Sequence, residues 1–168
     1  MVPKPGGGWR PCGDYRRLNQ ITTPDWYPLP NMQDLANHLH GATVFSKLDL
    51  VKGDHQVPVA EADKAKTAII TPFGLFEYNF MPFGLRNAGQ TFQRLIDQNF
   101  RDLPFCFPLA NNNLVGSTDR RLYLEHLRQV FQIMDKCGLA LNIAQCKFGQ
   151  PTGPFLGHCL PPQAQNHQ

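Results

Sequence analysis

Three groups of residues have types and spacing that could do chemistry. The first is Trp9-Arg10-Pro11-Cys12-Gly13-Asp14-Tyr15-Arg16-Arg17-Leu18-Asn19, a basic and aromatic run directly after the glycines at 6–8. A guanidinium offers a planar fork of donors that suits phosphate. A solvated loop with a strand behind it accounts for the same composition. The second is Asp49, an acid closing an apolar strand pattern. A carboxylate there either caps the next turn or ligates a metal, and capping is the commoner case. The third is Met81-Pro82-Phe83-Gly84-Leu85-Arg86-Asn87-Ala88, a Pro/Gly-rich loop feeding a helix. A helix N-terminus reached through a glycine can accept a phosphate or a nucleotide.

The surrounding elements must position these groups. Pro30-Asn31 opens a short helix with Met32, Leu35 and Leu39 on one face, and Gly41 supplies the stop. Residues 43–50 alternate as a strand, Val44, Leu48 and Leu50 on one side and Phe45, Lys47 and Asp49 on the other. A β-hairpin is predicted over 67–71 and 75–80 around Pro72-Phe73-Gly74. Residues 87–100 read as a helix striped by Phe92, Leu95, Ile96 and Phe100. Ser117-Thr118-Asp119 starts a longer helix, striped by Tyr123, Leu127, Val130, Phe131 and Met134 and ended by Gly138. Short strands are expected at 139–143, 146–148 and 155–156, and a polar tail at 161–168. This order predicts an α+β fold, a sheet with helices packed on one face.

Composition bounds the rest. With 168 residues, 42% hydrophobic and 17% charged, the chain can bury one sizeable core and is not a disordered polyelectrolyte. Its apolar runs are too short to cross a bilayer, which argues against a membrane partner. The first eight residues contain no apolar stretch of the kind a secretory signal needs. The five cysteines are odd in number and show no C-x2-C pair. Free thiols in a reducing intracellular compartment, cytoplasm or nucleus, are therefore expected. A net charge of +3 permits a polyanionic partner without demanding one.

Taken together, the motifs form a collinear series: VPKPGGGWRPCGDYRRLN (2–19), YPLPNMQDL (27–35), FSKLDLVKG (45–53), HQVPV (55–59), TPFGLFEYNFMPFGLRNA (71–88), TFQRLI (91–96), HLRQVF (126–131), CKFG (146–149) and FLGH (155–158). In this the chain resembles the fingers and palm of the reverse transcriptase of gypsy-type long-terminal-repeat retrotransposons. The resemblance implies a polymerase fingers-palm fold with a ferredoxin-like palm sheet over 1–160, the fingers at about 1–42 and 54–80. It implies DNA synthesis on an RNA/DNA primer-template from dNTPs, with two Mg²⁺ ions between palm carboxylates. Asp49 matches the acid at the end of the first palm strand. Lys4 and Arg10 would meet the triphosphate, Phe83 and Gly84 would flank a base, and Gln93 and Arg94 would line the template. Thumb, connection and RNase H regions of the family lie beyond this stretch, which implies a weak primer-template grip.

The chain departs from that pattern where the chemistry would be. The family's Tyr-x-Asp-Asp turn falls on Leu109-Ala110-Asn111-Asn112, so both turn aspartates are asparagine. A carboxamide is nearly the shape of a carboxylate, but it is neutral and its NH₂ cannot ligate a cation. Losing one electrostatic group from a catalytic site costs roughly 10²–10³ in rate, and here two are lost. Asp54 replaces the aromatic that polices the sugar of the incoming nucleotide, Gly89-Gln90 replaces Pro-Ala, and Gln145 replaces a lysine. Pro108 falls inside an expected palm strand and Asn113 at an apolar position, which together predict low stability. The resulting expectation is a retrotransposon-derived domain without polymerase activity that keeps nucleic-acid binding, with Asp49 a vestigial metal ligand. An active polymerase fragment and a domesticated protein-interaction module are the alternatives.

Overall fold

The computed structural model describes residues 1–151, 153–155 and 158–160, with side chains up to 151 except those of Arg10 and Met32. In chain order it contains β1 (Val2–Pro3), β2 (Trp9–Arg10), α1 (Arg16–Ile21), α2 (Met32–His38), β3 (Val44–Asp49), β4 (Ile69–Thr71), β5 (Gly74–Phe76), α3 (Ala88–Phe100), β6 (Cys106–Leu109), β7 (Asn112–Ser117), α4 (Arg120–Cys137), β8 (Lys147–Gln150), β9 (Gly153–Phe155) and β10 (His158–Leu160). Short 3₁₀ turns cover Gly53–Gln56, Glu61–Thr67 and Ile143–Gln145. The polar tail expected at 161–168 and position 156 of the last strand lie outside the described residues.

The centre is an antiparallel sheet in the order β6-β7-β3-β8. With α3 between β3 and β6 and α4 between β7 and β8, this is the βαββαβ unit of ferredoxin-like folds. Strand alternation sends Leu48 and Val115 to one face, where Phe92, Ile96 and Phe100 of α3 and Tyr123, Leu127, Val130 and Met134 of α4 cover them. The expected single helical layer is therefore present. The short α2 adds a second, smaller core on the opposite face, where Leu35 and Leu39 pack against Phe45, Phe107 and Leu114.

Helix boundaries follow from their caps. The Asp119 carboxylate accepts from the N–H groups of Arg121 and Leu122, and Gly138 closes α4 at φ 68°. Asn31 caps α2 through the N–H of Gln33. Phe131, placed in the buried stripe of α4 by its spacing, is exposed and packs edge-on against Phe148 at 6.5 Å. The basic run at 9–19 is not one loop: its second half is α1. Residues 139–143 form no strand. After Gly138 the chain makes a single bridge, Leu50 to Leu141, and then turns. Pro108 does not break the palm, because β6 is an edge strand with a partner on one side only, where proline is tolerated.

Candidate active site

The acid at the end of β3 meets the turn between β6 and β7. In the β3–β7 ladder Asp49 pairs with Asn112 and Leu48 with Asn113. Pairing of Leu109 with Asn112 closes the hairpin over the two residues Ala110 and Asn111. The carbonyl of Asn111 accepts the N–H of Leu50 at 2.8 Å, which seats the turn against the first residue after β3. Asp49, Asn111 and Asn112 are thus brought together.

The turn is a strained one. Ala110 sits at φ 46°, in the left-handed region, at a cost of roughly 1–2 kcal/mol for a residue with a Cβ. Gln93 of α3 compensates. Its Nε2 donates to the carbonyl of Pro108 at 3.2 Å and its Oε1 accepts the N–H of Ala110 at 2.9 Å. Gln93 was expected to line a template. Instead it is fully buried, with its carboxamide spent on the turn. Gly53 closes the other side: a Cβ there would stand 2.2 Å from Asn111 Oδ1 and 2.7 Å from Phe92 Cζ.

Electrostatically the site is poor. Burial holds the Asp49 carboxyl above its ordinary range, with Lys47 on the same strand partly opposing the shift. The Oδ1 atoms of Asn111 and Asn112 are buried without a hydrogen-bond partner, as are both polar atoms of the Asn113 side chain. Among the described residues no group of three or more His, Cys, Asp or Glu side chains is placed to hold a metal ion. Two hard dications require several charged oxygens in near-octahedral geometry. One carboxylate and two neutral carboxamides do not match that requirement, so this donor set does not fit a pair of Mg²⁺ ions.

Around this centre, Asp54 lies half-buried in the 3₁₀ turn beside Gly53, and burial raises its carboxyl as well. Phe83 stands edge-on to His55 at 4.4 Å. Gly84, at φ 95°, is fixed by Asn19, whose Nδ2 donates to its carbonyl at 2.8 Å, and a Cβ there would touch the Tyr15 ring at 3.5 Å. The 81–88 loop is therefore docked on α1, an arrangement that the spacing of Asn19 and Gly84 in sequence did not reveal. Lys4 is exposed in the turn between β1 and β2, and Arg10 lies on β2 opposite Val2. Arg94 is not open to a template as expected: Nη2 pairs with Asp25 at 2.6 Å and its guanidinium lies over Tyr27, 4.6 Å from the ring centre. Gln145 is exposed in the turn after α4.

A βαββαβ sheet hosts many functions, and the two-residue turn facing a strand-end acid is compatible with the palm that the motifs imply. Residues 2–160 match the reverse transcriptase (RNA-dependent DNA polymerase) family model, and the chain belongs to that family. It is 39% identical over 151 residues to the retrovirus-related Pol polyprotein from transposon 297 of Drosophila melanogaster, covering 89% of this chain and 14% of that protein. It is 34% identical over 162 residues to the transposon Tf2-7 polyprotein of Schizosaccharomyces pombe, covering 94% of this chain and 12% of that one. The chain thus spans about a seventh or less of these relatives. Among solved structures, the foamy viral protease-reverse transcriptase dRH in complex with double-stranded DNA superposes with a TM-score of 0.89 at 20% identity, over 96% of this chain and 28% of that one. The foamy viral protease-reverse transcriptase in complex with an RNA/DNA hybrid gives 0.86 at 20% identity, over 96% of this chain and 22% of that one. These likenesses agree with the fingers-palm fold and with a retrotransposon origin.

Proposed function

We propose that this is a fingers-palm domain of a gypsy-type element that no longer polymerises DNA and retains electrostatic binding to nucleic acid. The observation that carries the first half is the pairing of Asp49 with Asn112, a carboxamide in the place of a second acid. Removing two formal charges from a site meant for two dications removes the attraction that would assemble it. Asp54 does not replace them: it lies five residues past Asp49, half-buried in a separate turn.

Support for the second half is the exposed Lys4 and Arg17 on the fingers side, with the chain at +3; Arg16 is exposed too but pairs with Asp14 at 2.6 Å. Binding of this kind is weak, indifferent to sequence and strongly salt-dependent. Primer extension on an RNA template with Mg²⁺ or Mn²⁺ tests the loss of activity: no product above a no-enzyme control is expected, and incorporation overturns the reading. A salt titration of duplex binding tests the retained function. A steep decline with salt is expected; absence of affinity at low salt removes that half.

A further inference from the structure

The turn that faces Asp49 is held by a buried side chain of α3. Gln93 is fully buried on α3, yet its carboxamide reaches the hairpin at two points, Pro108 O at 3.2 Å and Ala110 N at 2.9 Å. These flank Leu109, so the clamp encloses Leu109 and ends at the N–H of Ala110, where the left-handed kink begins. A carboxamide can flip, exchanging its donor and acceptor ends. A flip here would set the NH₂ against the Ala110 N–H and carbonyl against carbonyl at Pro108. Asp97, one turn further along α3, adds to this, since its Oδ1 accepts from Gln93 Nε2 at 2.8 Å. A carboxylate has only acceptors to offer, so the NH₂ must face it, and the carbonyl is left for Ala110. The other oxygen, Asp97 Oδ2, accepts the hydroxyl of Tyr27 at 2.8 Å. Tyr27 in turn carries the Arg94 guanidinium on its face, and Arg94 pairs with Asp25 at 2.6 Å.

We propose that Gln93 is the positioning residue of the β6–β7 turn, with Asp97 reinforcing the orientation of its carboxamide. Through Ala110 it keeps Asn111 and Asn112 opposite β3. The segment at 25–27 is thereby tied to the candidate active site through α3. This holds whether or not the domain polymerises, since it concerns the shape of the turn and not its charge.

The test is amide hydrogen exchange at Ala110, followed by NMR, in the whole chain and four variants. The Ala110 amide is expected to be protected in the unaltered protein. Gln93→Leu, which keeps the bulk and removes both polar ends, is expected to speed its exchange tenfold or more while Leu114 and Val115 in β7 keep their protection. Gln93→Glu sets two carboxylates against each other and is expected to loosen the turn similarly. Asp97→Asn removes the charge that reinforces the carboxamide orientation while leaving an acceptor for Nε2, and is expected to act in the same direction, more weakly. Adding Asp97→Asn to Gln93→Glu restores a donor facing an acceptor, so the double variant is expected to exchange more slowly at Ala110 than Gln93→Glu alone. A role in packing alone gives no such recovery. Unchanged exchange in Gln93→Leu, or a double variant no better than Gln93→Glu, overturns the proposal; if Gln93→Leu does not fold, the Gln93→Glu pair decides alone.

Discussion

Asp49 and Asn112 stand directly opposite each other in the β3–β7 ladder, an acid facing an amide across paired strands. Opposed residues of an antiparallel pair have Cβ atoms about 4.5–5.5 Å apart, close enough for two carboxylates to share a cation. Here one partner is neutral. The strand pairing of the family's palm is kept, while the position opposite Asp49 carries no charge.

The three asparagines are unequal in what they cost. Asn113 is fully buried beside Leu48 in the helix-covered core, and neither end of its amide has a partner. A buried unsatisfied polar group costs about 1–3 kcal/mol. Asn113→Val is expected to raise stability by about that amount, read as a higher urea midpoint with an unchanged denaturant slope.

Gly53 is required by space. A methyl group there would overlap Asn111 Oδ1 and crowd the Phe92 ring. Gly53→Ala is expected to destabilise by about 1–3 kcal/mol, the usual cost of overpacking. Combining it with Asn111→Ala should recover part of that loss, as a thermal-melting double-mutant cycle would measure.

His126 sets a pH dependence. Its ring is stacked on Phe105 at 3.6 Å with Nδ1 against Ser117 Oγ at 2.8 Å, and burial lowers its pKa, opposed by the nearby charges of Asp119 and Glu125. The unfolded chain then takes up a proton near the ordinary value while the folded chain resists it. Stability is therefore complete above about pH 6.5 and falls as pH drops through the window down to the folded value. Denaturation at a series of pH values should show this decline. His126→Phe, which keeps the stacking, should flatten it.

Arg94 and Lys4 should differ in their effect on nucleic-acid binding. The Arg94 guanidinium is committed to Asp25 and Tyr27, whereas Lys4 is exposed. Lys4→Ala should reduce the slope of log affinity against log salt by about 0.9, one phosphate contact. Arg94→Ala should leave that slope unchanged and lower stability instead.

Much of this was legible in the residues. The caps at Asn31, Asp119 and Gly138 and the stripes of α3 and α4 depend on local spacing, and the structure agrees with them except at the exposed Phe131. The meeting of Asp49 with Asn111 and Asn112 was legible only through the family resemblance, since sixty residues separate them in the chain. What escaped was set by long-range contacts. Gln93 sits among surface-type residues in sequence, yet α3 turns it toward the open edge of β6, where a carbonyl and an N–H wait for it. Pro108 looked disruptive because sequence does not tell an edge strand from a central one. Arg94 looked available because its partners, Asp25 and Tyr27, come from a segment without regular structure.

A Mn²⁺ titration followed by electron paramagnetic resonance addresses the missing charge without requiring substrate. The unaltered chain is expected to leave added Mn²⁺ free in solution, while Asn111→Asp combined with Asn112→Asp should bring saturable binding. Two Mn²⁺ ions bound tightly by the unaltered chain, with no gain on restoring the acids, would contradict the account.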